Sequence, residues 1–268
     1  LGNGMYNVIG PATRFSKFRR SFGPQKAIAH IRLEYADGSV EIIGTDERWR
    51  VASGPIPFSS IYGGEDFDGR LMQKGWDQTG FDDSKWAAAQ LLGDAGAELR
   101  GISGAAPAIR EFEIHKPVAT HILGNGDIVF DLGQNAAHVP RITVTGPAGS
   151  VVRLMPSELL DAEGAINQGS MGGGRRGAIW CDFTKATDGV EAWSPKFCYV
   201  GCRYVQAHLT AGTNGEFPKI NSLDGAVIQS SSEPVGEFEC SNSLFNRIRQ
   251  LVRWAQRNHM VSLLTYCP

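Results

Sequence analysis

The chain has 268 residues, about twice the commonest domain size, which predicts two compact units. Hydrophobic residues make up 42% of it and charged residues 20%, a composition that excludes a disordered protein. The 26 Lys and Arg residues against 28 Asp and Glu residues give a formal charge of -2, and no basic stretch alternates with aromatic side chains, so nucleic acid is not an expected partner.

The sequence contains no signal for a membrane or for export. Its apolar runs are far shorter than the roughly 20 residues that a membrane-spanning helix needs. The first four residues, Leu1 to Gly4, have neither the charged nor the apolar part of a secretory signal. We therefore expect no membrane partner. The compartment is unknown from sequence, and the periplasm and the extracellular space both stay open.

The first half of the chain has the alternating pattern of β-strands. Residues 27–35 alternate apolar and polar side chains, turn at 36–38 and resume alternation at 39–43, which predicts a hairpin with one apolar face. Residues 109–114 alternate again and are followed by Lys116 and Pro117. Because proline discourages continuation of a strand, we place a linker there and predict a first β domain at 1–115.

The second half continues the β pattern up to its last segment. Gly172 to Gly177 is predicted to be a loop, without the lysine and hydroxyl residues of a phosphate-binding motif. This pattern predicts a second β-sandwich at 116–235. Its predicted strands are 127–132, 140–145, 150–155, 179–184, 201–210 and 226–229.

The last segment, 236–268, changes to the period of an amphipathic helix. Ser241 is the predicted N-cap, and the apolar stripe begins at Leu244. No further helix follows to cover this stripe, so we expect a missing partner. The sequence thus predicts a mostly β protein, with two antiparallel β-sandwich domains followed by a C-terminal helix. The apolar stripe consists of Leu244, Phe245, Ile248, Leu251, Val252 and Ala255.

Short motifs along nearly the whole chain resemble one enzyme family. Their order and spacing are similar to those of the amino-terminal part of bacterial α-L-rhamnosidases of glycoside hydrolase family 78. The motifs are 1–6 (LGNGMY), 33–38 (LEYADG), 45–49 (TDERW), 61–70 (IYGGEDFDGR), 81–86 (FDDSKW), 130–135 (FDLGQN), 146–149 (GPAG), 193–197 (WSPKF), 201–205 (GCRYV), 238–241 (FECS) and 264–268 (LTYCP).

This resemblance implies a jelly-roll domain with carbohydrate-binding relatives at 1–115, a second β-sandwich at 116–235, and the first helix of a truncated (α/α)6 catalytic barrel at 236–268. The implied activity of the full-length parent is hydrolysis of terminal α-L-rhamnosyl linkages by inversion, on rhamnose-containing glycans or glycosides. Tyr266 stands where the family has Asp, and the sequence ends at Pro268. We therefore expect no catalytic residue in this chain and no activity from it alone. The alternative is a stand-alone, non-catalytic carbohydrate-binding or scaffolding module.

The best candidate binding site lies at 63–70, where three acids stand beside glycines. Carboxylate oxygens suit a hard cation, so Glu65 and Asp68 are the candidate ligands for calcium. The resemblance associates this region with calcium-assisted rhamnose binding, although Gly69 stands where binding members offer an amide. No cofactor is otherwise required. The alternative role is that of a solvated loop in which the acids pair with Arg70.

Two tryptophans beside that segment, Trp76 and Trp86, are the candidate substrate-binding residues. An exposed indole stacks on the apolar face of a sugar, while a buried one only packs in the core. Other acid pairs, Glu111 with Glu113 and Asp82 with Asp83, have the pattern of surface groups.

The remaining candidate groups are cysteines and histidines. Cys198, Cys202 and His208 are predicted to share one strand, a core pattern rather than a zinc site, and no partner is assigned to His115 or His121. The cysteines have no CxxC pair and are expected to be free thiols: Cys181, Cys198, Cys202, Cys240 and Cys267.

Overall fold

The structure, a computed structural model, describes residues 1–8, 10–11, 13–17, 20–93, 107–171, 177–261 and 263–264. Residues 172–176 of the loop predicted at 172–177 and the terminal residues Tyr266 and Cys267 lie outside the described residues. The strands of the first part are β1 (Asn7–Val8), β2 (Arg20–Ser21), β3 (His30–Glu34), β4 (Val40–Gly44), β5 (Arg50–Val51), β6 (Phe58–Ser60), β7 (Gly64–Asp68), β8 (Ala87–Ala88) and β9 (Ile109–His115).

The second part contains longer strands and the helix. Short 3₁₀ helices occur at Gly69–Leu71 and Gln168–Met171. The remaining elements are β10 (Ala119–Ile122), β11 (Ile128–Thr145), β12 (Val151–Ser157), β13 (Leu159–Leu160), β14 (Ile166–Asn167), β15 (Cys181–Thr184), β16 (Glu191–Trp193), β17 (Val200–Thr210), β18 (Lys219–Ser230), α1 (Ser243–His259), β19 (Met260–Val261) and β20 (Leu263–Leu264).

The predicted fold class, mostly β with β-sandwich domains and a C-terminal helix, is confirmed. The predicted hairpin is also present, because β3 and β4 pair antiparallel from His30 with Gly44 to Glu34 with Val40. Its turn is closed by the Tyr35 amide, which donates to the Ser39 carbonyl at 3.0 Å. Gly38 sits in this turn with a φ of 82°, a conformation that glycine adopts at no steric cost. Within the described residues, no helix is long and apolar enough to cross a membrane.

A ten-stranded sheet organises the molecule, in the order β6-β7-β15-β12-β17-β11-β18-β9, with β10 and β16 also paired to β11. The pairs are antiparallel except for β7 with β15, which is parallel. The sequence predicts separate strands at 127–132 and 140–145, and this is wrong because β11 runs continuously from Ile128 to Thr145. Its pairing shifts register between Asp131 and Ala136, so an irregularity replaces the expected break.

The apolar core lies against one face of this sheet. Alternate residues of β12 and β17, such as Leu154 and Val205, are buried there, as the period of two along a strand requires. Three aromatic rings fill the centre, and Phe183 stacks on Trp193 with centroids 5.5 Å apart. The buried members of this core are Phe130, Leu132, Ile142, Val144, Val152, Leu154, Cys181, Phe183, Trp193, Cys202, Val205, Ala207 and Leu223.

Backbone pairing also connects the two predicted domains. Strand β9, which precedes the predicted linker at residue 116, pairs with β18. Strands β6 and β7 join the same sheet through β15. The region between residues 58 and 68 is therefore part of the sheet that dominates the second half, while the domain bounds themselves stay a prediction.

Helix α1 begins one residue later than expected, and Ser241 is not its cap. The cap is Asn242, whose backbone is extended and whose side chain accepts from the Leu244 amide at 3.0 Å. Polar contacts hold the other end of the helix to the sheet, since Asn258 accepts from the Ala137 amide at 3.1 Å. The apolar stripe of α1 is exposed from Leu244 to Val252.

Candidate functional site

Glu65, the first candidate calcium ligand, is completely buried in β7. Its carboxylate accepts hydrogen bonds from the backbone amides of Lys196, at 3.1 and 3.0 Å, and of Phe197, at 2.8 Å. Burial raises the pKa of Glu65, and these two amides act against the rise. Glu65 therefore fastens the segment before β17 to strand β7.

Asp68, the second candidate ligand, has a different partner. Its carboxylate receives the Arg70 guanidinium in a two-point contact, at 2.9 and 2.7 Å. This contact lowers the pKa of Asp68. Residues three apart on a strand point to opposite faces, so Glu65 and Asp68 do not converge. Among the described residues, no group of three or more His, Cys, Asp and Glu side chains is arranged to hold a metal, and calcium binding stays a prediction.

The two candidate sugar-binding tryptophans lie on the same stretch of irregular chain. Trp76 is 56% exposed. Trp86 is half-buried, its indole donates to Gln73 Oε1 at 2.7 Å, and its ring meets Phe81 edge-on at 5.6 Å. Of the two, Trp76 offers the more open surface to a ligand, and its role in binding sugar stays a prediction.

A row of polar and charged side chains that the sequence analysis missed crosses the sheet opposite the core. Strand register aligns Asp66 with Asp182, Asp182 with Arg153, and Arg153 with His208. Arg153 donates twice to Asp182, at 2.8 and 2.7 Å. His208 Nδ1 lies 2.7 Å from the carboxylate of Asp127, which is buried at the start of β11. We call these five residues the polar row.

Trp180 lies at the β7 end of the polar row and joins it to the amino-terminal segment. Two guanidiniums lie over its ring, that of Arg14 at 3.5 Å and that of Arg153 at 4.6 Å from the centroid. Its indole donates to Asp182 at 3.1 Å. Trp180 is half-buried, and its partners are charged groups.

Arg14 is the buried centre of this junction. It donates to the Gly63 carbonyl at 2.9 Å, to the Trp180 carbonyl and to the carboxylate of Asp66. Desolvation lowers the pKa of Arg14, and the charge of Asp66 opposes that effect. No sequence motif marks Arg14, because its partners lie far along the chain. Chemically, this end of the polar row holds three chain segments together. Arg153, and His208 at the other end of the row, are partly exposed for hydrogen bonding.

The cysteines are arranged differently from the sequence expectation. Cys198 precedes β17 instead of sharing it with Cys202 and His208, and its sulfur lies 3.6 Å from that of Cys181. Cys202 is buried, with its sulfur 3.8 Å from His138 Nδ1.

His115 also has a partner that sequence analysis did not assign. Its Nδ1 lies 3.0 Å from Nε2 of the buried His138, whose own Nδ1 lies 2.9 Å from the Cys202 carbonyl. Because that carbonyl only accepts, His138 donates to it. Burial lowers the pKa of His138 to about 4. His121 contacts the Gly164 carbonyl at 2.9 Å.

Comparison with known proteins relates this architecture to one family. Residues 1–113 match the model of the alpha-L-rhamnosidase N-terminal domain, and residues 122–229 match that of the bacterial alpha-L-rhamnosidase concanavalin-like domain. An alpha-L-rhamnosidase of Formosa agariphila is 30% identical over 273 residues, which cover 100% of this chain and 28% of that protein.

Solved structures give the same relationship. The structure of the alpha-L-rhamnosidase from Dictyoglumus thermophilum is 34% identical with a TM-score of 0.80, over 90% of this chain and 26% of that one. The crystal structure of the Streptomyces avermitilis alpha-L-rhamnosidase complexed with L-rhamnose is 31% identical with a TM-score of 0.78, over 89% of this chain and 22% of that one.

The chain thus spans about a quarter of the length of the relatives that it matches. Within that span the two family models follow each other in the order that the sequence motifs indicate. The family resemblance is therefore confirmed. The chain belongs to the bacterial α-L-rhamnosidase family and carries its N-terminal and concanavalin-like domains.

Proposed function

We propose that this chain is the accessory-domain portion of an α-L-rhamnosidase, a glycoside hydrolase that acts on rhamnose-containing glycans or glycosides. The full-length parent hydrolyses terminal α-L-rhamnosyl linkages by inversion, and a catalytic barrel outside these residues supplies its acid and base. The observation that carries this proposal is the ordered match to both accessory domains, while the chain covers only 22% to 28% of the relatives named above. A stand-alone binding module is not favoured, since those relatives are all α-L-rhamnosidases.

The electrostatics of Asp131 support the proposal that this chain is inactive alone. Inversion needs one protonated acid and one base, with carboxyl groups roughly 6.5 to 9.5 Å apart. Asp131 receives a two-point contact from Arg203, at 2.8 Å for each bond, and this contact lowers the pKa of Asp131. A carboxylate held ionised in this way is a poor proton donor.

An activity assay tests the proposal. We expect the 268-residue chain to release no aglycone from an aryl α-L-rhamnoside, while the protein translated from the whole reading frame releases it. The control is a chain with Asp182→Asn, which retains the fold if its circular dichroism is unchanged. Turnover by the 268-residue chain that disappears in Asp182→Asn or Asp131→Asn would place catalysis in these domains and overturn the proposal.

We further propose that Trp76 and Trp86 contact rhamnose and that Glu65 and Asp68 respond to calcium. Calorimetric titration of L-rhamnose, with and without calcium, measures both effects. We expect Trp76→Ala to abolish the heat of binding, whereas Trp49→Ala, at another exposed tryptophan, leaves it unchanged. Asp68→Asn should remove only the calcium dependence, with Asp82→Asn as its matched control. Equal, negligible heats in all conditions would assign purely structural roles to these four residues.

A further inference from the structure

Two free thiols are in contact beneath the core face of the sheet. Cys181 is the first residue of β15, and Cys198 lies in the short segment between β16 and β17. Their sulfur atoms are 3.6 Å apart, and both cysteines are free. Cys181 is buried and Cys198 is half-buried, so Cys198 is the more accessible residue of the two.

The segment that carries Cys198 is already fixed at a neighbouring point. The amides of Lys196 and Phe197 donate to the buried carboxylate of Glu65 on β7, and β7 pairs directly with β15. Thus Glu65 and Cys181, on adjacent strands, hold the same short segment. This anchoring keeps the two sulfurs together without a covalent bond.

The sulfurs also have room to approach each other. A small cavity borders both of them, lined in part by Cys181, Cys198, Cys202 and His138. A disulfide needs a sulfur separation of roughly 2 Å, so the atoms must close by about 1.5 Å. Rotation of two cysteine side chains next to a cavity covers such a distance with little movement of the backbone.

We propose that Cys181 and Cys198 form an oxidisable pair that closes to a disulfide when it meets a low-molecular-weight disulfide. The thiolate of Cys198 attacks one sulfur of the reagent, forms a mixed disulfide and releases one reagent thiolate. The thiolate of Cys181 then attacks the Cys198 sulfur and releases the second. The protein loses two electrons and two protons, and the reagent is reduced to two thiols.

The environment of the pair predicts how fast it reacts. Its hydrogen bond with Cys181, together with burial, holds the pKa of the Cys198 thiol well above its usual range. Since the thiolate is the attacking species, oxidation is slow at neutral pH and faster as the pH rises. Burial raises the pKa of Cys202 to about 12, and among the residues that the structure describes no cysteine lies in hydrogen-bond contact with it, so Cys202 serves as the matched control.

The test is oxidation of the folded chain by oxidised glutathione at pH 8.5, followed by intact-mass measurement and peptide mapping. We expect the loss of two hydrogens per chain and one cross-linked peptide pair containing Cys181 and Cys198. Because the link closes a loop of moderate length, the oxidised chain should unfold about 5–10 °C higher than the reduced chain. A reductant should reverse both changes.

Single variants locate the link. Cys198→Ser and Cys181→Ala should abolish it, while Cys202→Ala and Cys240→Ala should retain it. Circular dichroism of each reduced variant confirms that the fold is intact, and Cys198→Ala replaces any variant that does not fold. A native chain that stays fully reduced, a glutathione adduct that never resolves, or a link between other cysteines would each overturn the proposal. These readouts do not depend on glycosidase activity, so they are independent of the proposed function.

Discussion

Strand β12 and the β3–β4 hairpin have similar alternating sequences, yet only β12 buries its apolar side chains. Val152 and Leu154 on β12 are 0% and 1% exposed, whereas Ile42 and Ile43 on β4 are 63% and 37% exposed. The difference comes from the neighbours. Strand β12 lies between β15 and β17 against an aromatic core, while β3 and β4 pair only with each other in the described part of the chain. Alternation of apolar and polar residues therefore predicts a strand, but the apolar side chains of that strand are buried only where a second layer packs against them.

Replacing a glycine by alanine should give the largest difference in stability between the ten-stranded sheet and the β3–β4 hairpin. In Gly64→Ala the new Cβ would lie 1.9 Å from the Trp180 carbonyl oxygen, at a φ of 98°. We expect this change to lower the free energy of unfolding by more than about 4 kcal/mol or to prevent folding. In Gly38→Ala the φ is 82° but the space is open, so the cost should be about 1 kcal/mol. Denaturant unfolding followed by circular dichroism measures the free energy of unfolding of both variants. Equal losses of stability would show that the chain is packed as tightly around Gly38 as around Gly64.

Truncation of one apolar side chain in each region gives the next largest difference. Leu154→Ala leaves a cavity in the core and should cost about 3 kcal/mol of unfolding free energy. Ile42→Ala on the exposed hairpin should cost less than about 1 kcal/mol. Urea titrations of both variants test this, and a loss above about 2 kcal/mol for Ile42→Ala would mean that a further layer covers the hairpin.

The sheet should also be the acid-sensitive region, because it contains His138. The pKa of His138 is lowered from 6.5 to about 4 by burial, so the unfolded chain binds a proton that the folded chain does not accept between these pH values. Stability should therefore fall as the pH decreases from 6.5 to 4, by up to about 3 kcal/mol. His138→Asn keeps a donor for the Cys202 carbonyl and does not titrate. Its unfolding free energy should show a correspondingly weaker pH dependence, and an unchanged profile would contradict this role for His138.

The smallest expected effect on stability concerns α1, which resembles the hairpin in its exposed apolar side chains. Leu251→Lys should change the free energy of unfolding by less than about 0.5 kcal/mol, because Leu251 is exposed. The same change should reduce binding of a hydrophobic dye several-fold. Arg253→Lys, elsewhere on the helix, is the control. Dye fluorescence that is absent from the unmodified chain would show that the stripe is covered.

Local features were the most predictable part of the fold. The β3–β4 hairpin, the strands around residues 150–155 and 201–210, and the helix from residue 243 follow from alternation, turn residues and helical spacing. The cap was misplaced by one residue, because Ser241 and Asn242 are both good capping residues and only the backbone geometry separates them.

The candidate site was far less predictable, because its contacts join distant parts of the chain. Arg14 contacts Asp66 and Trp180, and no local pattern identifies those partners. Glu65 has a carboxylate of the kind that binds metal ions, yet the backbone amides of Lys196 and Phe197 already donate hydrogen bonds to it. The sequence shows which side chains are able to bind a cation or a sugar. Which of them already have partners within the protein depends on the fold.

The parallel pairing of β7 with β15 has a consequence for the timing of synthesis. Asp66 leaves the ribosome long before Asp182, the residue beside it in the sheet. The nascent chain can form the short β6–β7 hairpin early, but one edge of β7 then waits unpaired during translation. Such an edge is open to wrong partners until β15 emerges. Slower elongation between these two strands should therefore lower the yield of soluble protein.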